Sequence, residues 1–313
     1  MPALSDESTA KEEAARRATL AIAMVLAIMF AFAVMDGLTK ILSQTLPIWQ
    51  IMWVRNVVFA GLSITMLYTE CKAQNRSVLS LAYSRRPLLQ FSRALLLIIE
   101  SAIFMLAFKL MPIGDVHAVA AVAPLLVVAL SVPLLGEHVG PRRWSAVLVG
   151  FAGVLLIIRP GFATIEPPIL VTLLGASMWA VYQVMVRMCS RVDRSETTTL
   201  WTALVGLAAT TFIGPYVWVW PDTTGWLMLG AIAVLGSVAH TTFIRALGMT
   251  QPSLLQPYNY TLFVWAVVVG YLFFGDIPDR WTLTGAAIII ASGIYVWHRE
   301  RVQAKQGQAT QTT

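Results

Sequence analysis

Residues 100–144 read ESAIFMLAFKLMPIGDVHAVAAVAPLLVVALSVPLLGEHVGPRRW, and residues 239–281 read AHTTFIRALGMTQPSLLQPYNYTLFVWAVVVGYLFFGDIPDRW. Laid over one another at a shift of 139 positions (275 − 136), they put Phe104 on Phe243, Ala107 on Ala246, Gly136 on Gly275 and Glu137 on Asp276. Each stretch runs apolar into a Gly-acid pair and then a basic loop carrying Trp144 or Trp281, and a Gly-spaced apolar helix follows each. The chain is written twice. Duplicated membrane halves form their sites where the two repeats meet, so the chemistry is expected between the copies.

The rest of the sequence suits lipid. Of 313 residues, 58% are hydrophobic and 12% charged, with mean hydropathy +0.72; a soluble domain carries about 25% charged residues. This is an integral membrane protein with no water-soluble domain left over. The net charge of +6 could suggest nucleic acid, but the basic residues sit in short loops between apolar runs, where topogenesis accounts for them. Crossing a bilayer core of roughly 30 Å takes about 20 apolar residues. Such windows lie near 19–42, 47–68, 88–110, 113–135, 143–159, 168–189, 197–217, 224–247, 253–275 and 281–298. The expectation is an all-α membrane protein of about ten transmembrane helices, because a lipid-exposed backbone must pair each amide within its own segment. Pro47, Pro112, Pro141, Pro168, Pro221, Pro252 and Pro278 fall at the joints, where helices tolerate them.

Lys and Arg set the orientation. With the N-terminus inside, sixteen of them fall in inner loops and tails, against Lys109, Arg159 and Arg280 outside and Lys40, Arg55 and Arg93 within spans. That bias places both termini in the cytoplasm. An odd number of spans per repeat then turns the second copy upside down, giving two inverted five-helix repeats with Glu137 at an inner helix end and Asp276 at an outer one. The division is a cytoplasmic tail 1–18, a first repeat 19–159, a second repeat 160–299 and a cytoplasmic tail 300–313. Arg16-Arg17, an apolar run and Ala31-Phe32-Ala33 resemble a cleavable secretion signal, but the run continues past that point, so it is read as a retained first helix. Residues 1–18 and the Gln/Thr-rich 300–313 read as disordered or surface-lying.

Cys71 and Cys189 both fall on the cytoplasmic side, where thiols stay reduced, so no disulfide is expected. Neither has a Cys or His at ligand spacing, so no metal site is assigned, and no cofactor either. A phosphate-cradling loop ending in Lys-Ser or Lys-Thr is missing, and so is any nucleophile with its base. The sequence reads as neither an ATP-driven pump nor an enzyme.

The paired Gly-acid signatures, the loop Trp residues and the closing WSAVLVGFAGVLLIIRPG and WTLTGAAIIIASGIYVW resemble the two EamA domains of the drug/metabolite transporter superfamily, over residues 20–298. Within it, MDGLTKILSQTLPIWQIMWVRN and the segment 239–281 are most similar to the branch with bacterial riboflavin and S-adenosylmethionine uptake carriers. The resemblance implies ten helices, alternating access and a small organic substrate in the bacterial inner membrane. One departure is His117, where that branch carries a small residue, which points to a shifted preference.

Ionisable groups inside the spans are the candidates for substrate contact, since each costs about 2.5–3.5 kcal/mol at a helix centre on insertion scales. Asp36 and Lys40 are four apart and share a face with Thr39 and Ser43; the plainer reading is an internal ion pair whose lysine snorkels outward. Arg55 matches the Arg that ends WVRN in the branch resembled, and its plainer role is to pair with Asp36 and join two helices. Arg93, Leu97, Glu100 and Phe104 recur at helical steps, and His240 less the repeat offset falls at 101, so both halves place a titratable group at nearly one depth. The plainer alternative is a phosphate-binding Arg93 and a satisfied core His240. Trp179, Tyr182 and Gln183 share a face of the sixth span, and Gln256, Asn259, Tyr260 and Phe263 line the ninth. Aromatic faces there can stack on a flat ring while amides hold its polar edge. Trp49, Trp144, Trp218, Trp220, Trp226, Trp281 and Trp297 belong to the interfacial belt. Ala146 with Gly150, and Ala287 with Ala291, have the small-xxx-small spacing that brings helices close, bracing the bundle ends or a homodimer.

These readings converge on a secondary carrier for a small, flat, polar metabolite such as a flavin or a nucleoside-like compound, moving in either direction. A channel or passive scaffold shares the same composition, and so does an exporter of amino acids or drugs.

Overall fold

A helix satisfies its backbone in lipid within a single segment, and no strand occurs among the described residues. The computed structural model describes residues 2–75, 77, 82–136, 140–158, 167–292, 294 and 295. In order come α1 (Pro2–Leu42), α2 (Ile48–Gln74), α3 (Pro87–Leu110), α4 (Ile113–Ala120), α5 (Ala123–Leu135), α6 (Pro141–Ile158), α7 (Pro167–Ser190), α8 (Ser195–Thr211), α9 (Thr223–Met249), α10 (Pro252–Asn259) and α11 (Thr261–Phe274). Residues 280–292 form a last helix, α12. Glu137 and the tail 300–313 lie outside the described residues, so the expectations placed on them are not developed further.

Among the described residues, seven segments are long and apolar enough to cross a membrane: Ala15–Leu42, Ile48–Ala73, Pro87–Leu110, Ile113–Leu135, Pro167–Ser190, Thr223–Met249 and Leu254–Phe274. The other expected crossings fall on shorter helices. The 17 residues of α8 reach only about 25 Å at the rise of an α-helix, α6 keeps an apolar stretch at Leu148–Ile157, and α12 is cut short by the limit of the described residues. At the other end the structure corrects the disordered tail: α1 begins at Pro2. Ala, Lys, Glu and Arg over residues 10–17 are strong helix formers and extend the membrane helix toward the N-terminus.

The 139-residue offset reappears in the backbone. Helices end at Leu110 and Met249 and restart at Ile113 and Pro252. The fourth and ninth expected spans are each broken once, at Ala121-Val122 and at Tyr260, with Pro124 and Pro257 nearby to remove an amide donor. Both end on a glycine at φ 69°, Gly136 and Gly275. Asp276 N donates to Gly270 O at 3.2 Å to close the second of these caps. A residue with a Cβ would pay roughly 1–2 kcal/mol in this left-handed conformation, which is why the Gly-acid pair recurs.

The main contacts join one half of the chain to the other. α1 lies along α9 and α11, α2 along α8 and α9, α3 against α7 and α8, and α5 against α7 and α10. Met29, Ile51, Met52, Tyr182, Ile232, Phe243 and Leu247 fill the core between them. Outward, Leu26, Phe30, Ile64, Leu148, Phe151, Leu174, Val238 and Leu272 stay exposed, the reverse of a water-soluble surface and what acyl chains require. Helices α6 and α12 meet at Gly153 and Gly285, where a Cβ on either would lie 2.6–2.7 Å from the other's carbonyl oxygen. These glycines meet backbone to backbone, and Gly150 on the same helix as Gly153 faces Leu125 of α5 and Ser292 of α12.

Candidate functional site

One cavity runs between the halves, with an empty volume of about 1290 Å³ that includes its mouth and open solvent. Its wall takes Asp36 from α1, Arg55 from α2, Glu100 from α3, Trp179 from α7, His240 from α9, and Asn259 and Tyr260 from the break between α10 and α11. Lys40, Arg93 and Tyr182, expected at the same site, do not line it.

Each absence has a partner that explains it. Lys40 Nζ donates to Met111 O at 2.6 Å, satisfying the carbonyl just past the end of α3, and lies 5.3 Å from the Phe274 ring centroid. It does not reach Asp36, whose Oδ2 lies 3.2 Å from His117 Nε2 instead. That contact lacks the alignment of a hydrogen bond, since His117 Nε2 is also a buried atom without a hydrogen-bond partner. Helical spacing put Asp36 and Lys40 on one face, but the partners come from neighbouring helices.

Arg93 is wholly buried. Its Nη2 donates to Gln90 Oε1 (2.9 Å), Thr198 O (3.0 Å) and Thr202 Oγ1 (2.9 Å), and Nη1 reaches Tyr182 OH at 3.3 Å. Gln90 Nε2 continues the network to Asp193 Oδ2 at 2.9 Å. Ser84 Oγ donates to that same oxygen at 2.5 Å, and Arg85 N to Asp193 Oδ1 at 2.9 Å. This network ties the start of α3 to the turn between α7 and α8. It reaches the cavity at Thr202, which lines it, and through Tyr182, whose OH lies 2.6 Å from His240 Nε2. An arginine can only donate, so the tyrosine oxygen accepts from Arg93 and its proton is left for His240.

Two cavity charges have no such partners. Arg55 makes no hydrogen bond and no ion pair within 4.0 Å among the described residues; Glu100 and then Asp36 act on it only through space. The stem of Arg55 passes Gly236, where a Cβ would lie 3.4 Å from Arg55 Cδ. Glu100 is 6% exposed, and a 3.3 Å contact from Ser101 Oγ is its one hydrogen bond among the described residues. Thus the plainer role foreseen for Arg55, a direct pair with Asp36, is not what the geometry holds.

Trp179 stacks on Tyr182 (5.3 Å, 16°) and on Phe243 (5.2 Å, 12°), with Phe32 edge-on at 6.5 Å. Protein rings already occupy it, so it is a stiff wall with limited free face. Tyr260 is 4% exposed, and its hydroxyl makes no hydrogen bond among the described residues. Phe59, Phe104, Phe108 and Phe263 complete the apolar wall. His117 and Asn56 also line the cavity; sequence reasoning noticed the first as a departure and missed the second, whose neutral amide gives no signal of depth. No group of His, Cys, Asp and Glu able to hold a metal occurs among the described residues.

A family model described as the EamA-like transporter family matches the chain twice, over residues 19–159 and 167–297. Among similar curated proteins, an S-adenosylmethionine uptake transporter of Rickettsia conorii is 24% identical over 216 residues, covering 69% of this chain and 74% of the relative. A riboflavin transporter of Rhizobium johnstonii is 28% identical, covering 60% of this chain and 63% of the relative. A pseudopaline exporter of Pseudomonas aeruginosa is 27% identical, covering 85% and 91%. A solved crystal structure superposes with a TM-score of 0.64 at 22% identity, covering 91% of this chain and 98% of its own, which shows the shared fold.

Proposed function

The chain belongs to the EamA-like transporter family, and on that premise we propose that it is a secondary transporter which carries a small organic metabolite across a bacterial inner membrane by alternating access. The observation that carries the reading is the pair Arg55 and Glu100, ionisable groups of opposite sign that face the cavity between the two halves with no direct ion pair among the described residues. Ionisable groups at membrane depth are costly and serve a substrate or ion path. A flat solute with polar groups suits them: the apolar wall supplies contact area while a cation, a carboxylate and amides orient the edge. Names among the relatives, S-adenosylmethionine and riboflavin uptake and pseudopaline export, support a small organic solute.

The proposed topology has ten crossings, both termini in the cytoplasm and two inverted five-helix repeats. In that orientation the cavity occupies the middle and outer depth, and the Ser84, Gln90, Arg93 and Asp193 network lies on the cytoplasmic side of it. Delivery to the cytoplasm then requires α3 to part from the α7–α8 turn. Binding energy from the solute would tip that equilibrium only if the inward-open state holds it differently from the outward one. The test is counterflow in proteoliposomes of purified protein: saturable exchange of a labelled solute supports a carrier, and unsaturable flux through Glu100→Gln protein as fast as through wild type rejects it.

A further inference from the structure

The amide cluster at the break of the ninth span carries an argument about which solute edge the cavity takes. Gln256 Nε2 donates to Pro252 O at 2.9 Å. A backbone carbonyl only accepts, so this bond fixes which way the Gln256 amide points. The same nitrogen donates to Gln183 Oε1 at 3.2 Å, and Gln256 Oε1 accepts from Asn259 Nδ2 at 3.0 Å. Each amide orientation is set by the one before it, starting from Pro252. Two atoms are left over: Gln183 Nε2, a donor, and Asn259 Oδ1, an acceptor, both buried and both without a partner among the described residues.

Gln183 is 0% exposed, yet both it and Asn259 line the cavity. Their amides adjoin, with Asn259 Nδ2 3.5 Å from Gln183 Oε1, so the spare donor and the spare acceptor sit on neighbouring groups. Buried polar atoms nearly always have partners. Two orphans of opposite kind in one wall call for a ligand that offers an acceptor and a donor side by side. A carboxylate offers acceptors alone and an ammonium donors alone. Trp179, one turn before Gln183, and Tyr260, next to Asn259, flank that position in the cavity wall.

We propose that Gln183 and Asn259 form a recognition subsite for the edge of a cyclic imide or lactam, where a ring C=O stands beside a ring N–H. The proposal rests on the transporter reading of this cavity and deepens it. Titration calorimetry on the purified full-length protein tests it with lumichrome, a flat tricycle carrying such an edge, and with 1,3-dimethyllumichrome, in which both ring N–H groups are replaced. Methylation is expected to weaken binding to the wild-type protein about tenfold or more, as a site built around a hydrogen bond rejects the analogue that cannot make it. In Asn259→Leu protein the two compounds should bind alike and weakly. Equal binding of both by wild type overturns the subsite without touching the transport reading, and needs no variant that must fold. Binding of neither compound overturns it as well, and counterflow of a ringless solute in the same preparation then separates its failure from that of transport.

Discussion

Glu100 and Arg93 sit two turns apart on α3 and illustrate two opposite uses of a buried charge. Arg93 spends its donors on Gln90, Thr198, Thr202 and Tyr182, whereas Glu100 accepts one long bond from Ser101. Removing the guanidinium leaves those neutral partners unmatched, and a buried polar group left unsatisfied costs about 1–3 kcal/mol. Arg93→Met should therefore lower the amount of folded protein recovered in detergent. Glu100→Gln and Arg55→Met should do the reverse, keeping the folded yield while transport falls at least about tenfold, since a hydrogen bond to a charged group contributes about 1.5–3 kcal/mol. Size-exclusion yield alongside transport rate separates the two classes, and loss of folded Glu100→Gln protein would count against a binding role. The sequence made the presence of these groups legible but not their partners. Spacing tells which face of a helix a residue occupies; whether Asp36 meets Lys40 or His117 depends on how α1 and α4 pack.

At the scale of elements the sequence was more readable, because prolines and glycines act locally. Gly136 and Gly275 end their helices in the left-handed conformation that the repeated Gly-acid pair announces. The breaks at Ala121-Val122 and Tyr260 follow the same offset, although only Pro124 and Pro257 hinted at them. Small-residue spacing told less. It singled out Ala146 and Gly150, and Gly150 does face Ser292 of α12, but the backbone contact of α6 with α12 is made by Gly153 and Gly285, because a spacing rule cannot rank several small residues on one helix. One substitution should then have opposite signs at two glycines. Gly285→Ala drives a Cβ against Gly153 O and should cost about 1–3 kcal/mol as overpacking does. Gly230→Ala, with nothing within 4 Å, should be neutral or stabilising by up to about 1 kcal/mol. Melting temperatures in one detergent decide; equal shifts would mean that the α6–α12 crossing is looser than this.

For the whole molecule, the asymmetry of Lys and Arg predicts which side each loop faces. A cysteine replacing Thr224, at the exposed start of α9, should react with an impermeant maleimide in intact cells, and one replacing Tyr83 only after permeabilisation. The opposite pattern would invert the topology. The cytoplasmic closure makes the last prediction. Asp193 accepts from Ser84, Arg85 and Gln90 at once, so one carboxylate fastens the first half of the chain to the second on that side. Removing it weakens the closed state without touching any group that lines the cavity. In inside-out vesicles, a cysteine in place of the cavity residue Ser101 should be labelled slowly in the parent and about tenfold faster with Asp193→Ala, the shift that losing one charged hydrogen bond of about 1.5 kcal/mol allows. The native Cys71 and Cys189 are buried and add little background. Unchanged labelling would mean that the network braces the fold and that the route to the cytoplasm opens elsewhere. Faster labelling together with a lower maximal counterflow rate would instead identify the parting of α3 from the α7–α8 turn as the inward step, because a carrier whose inner side no longer closes cannot complete its cycle.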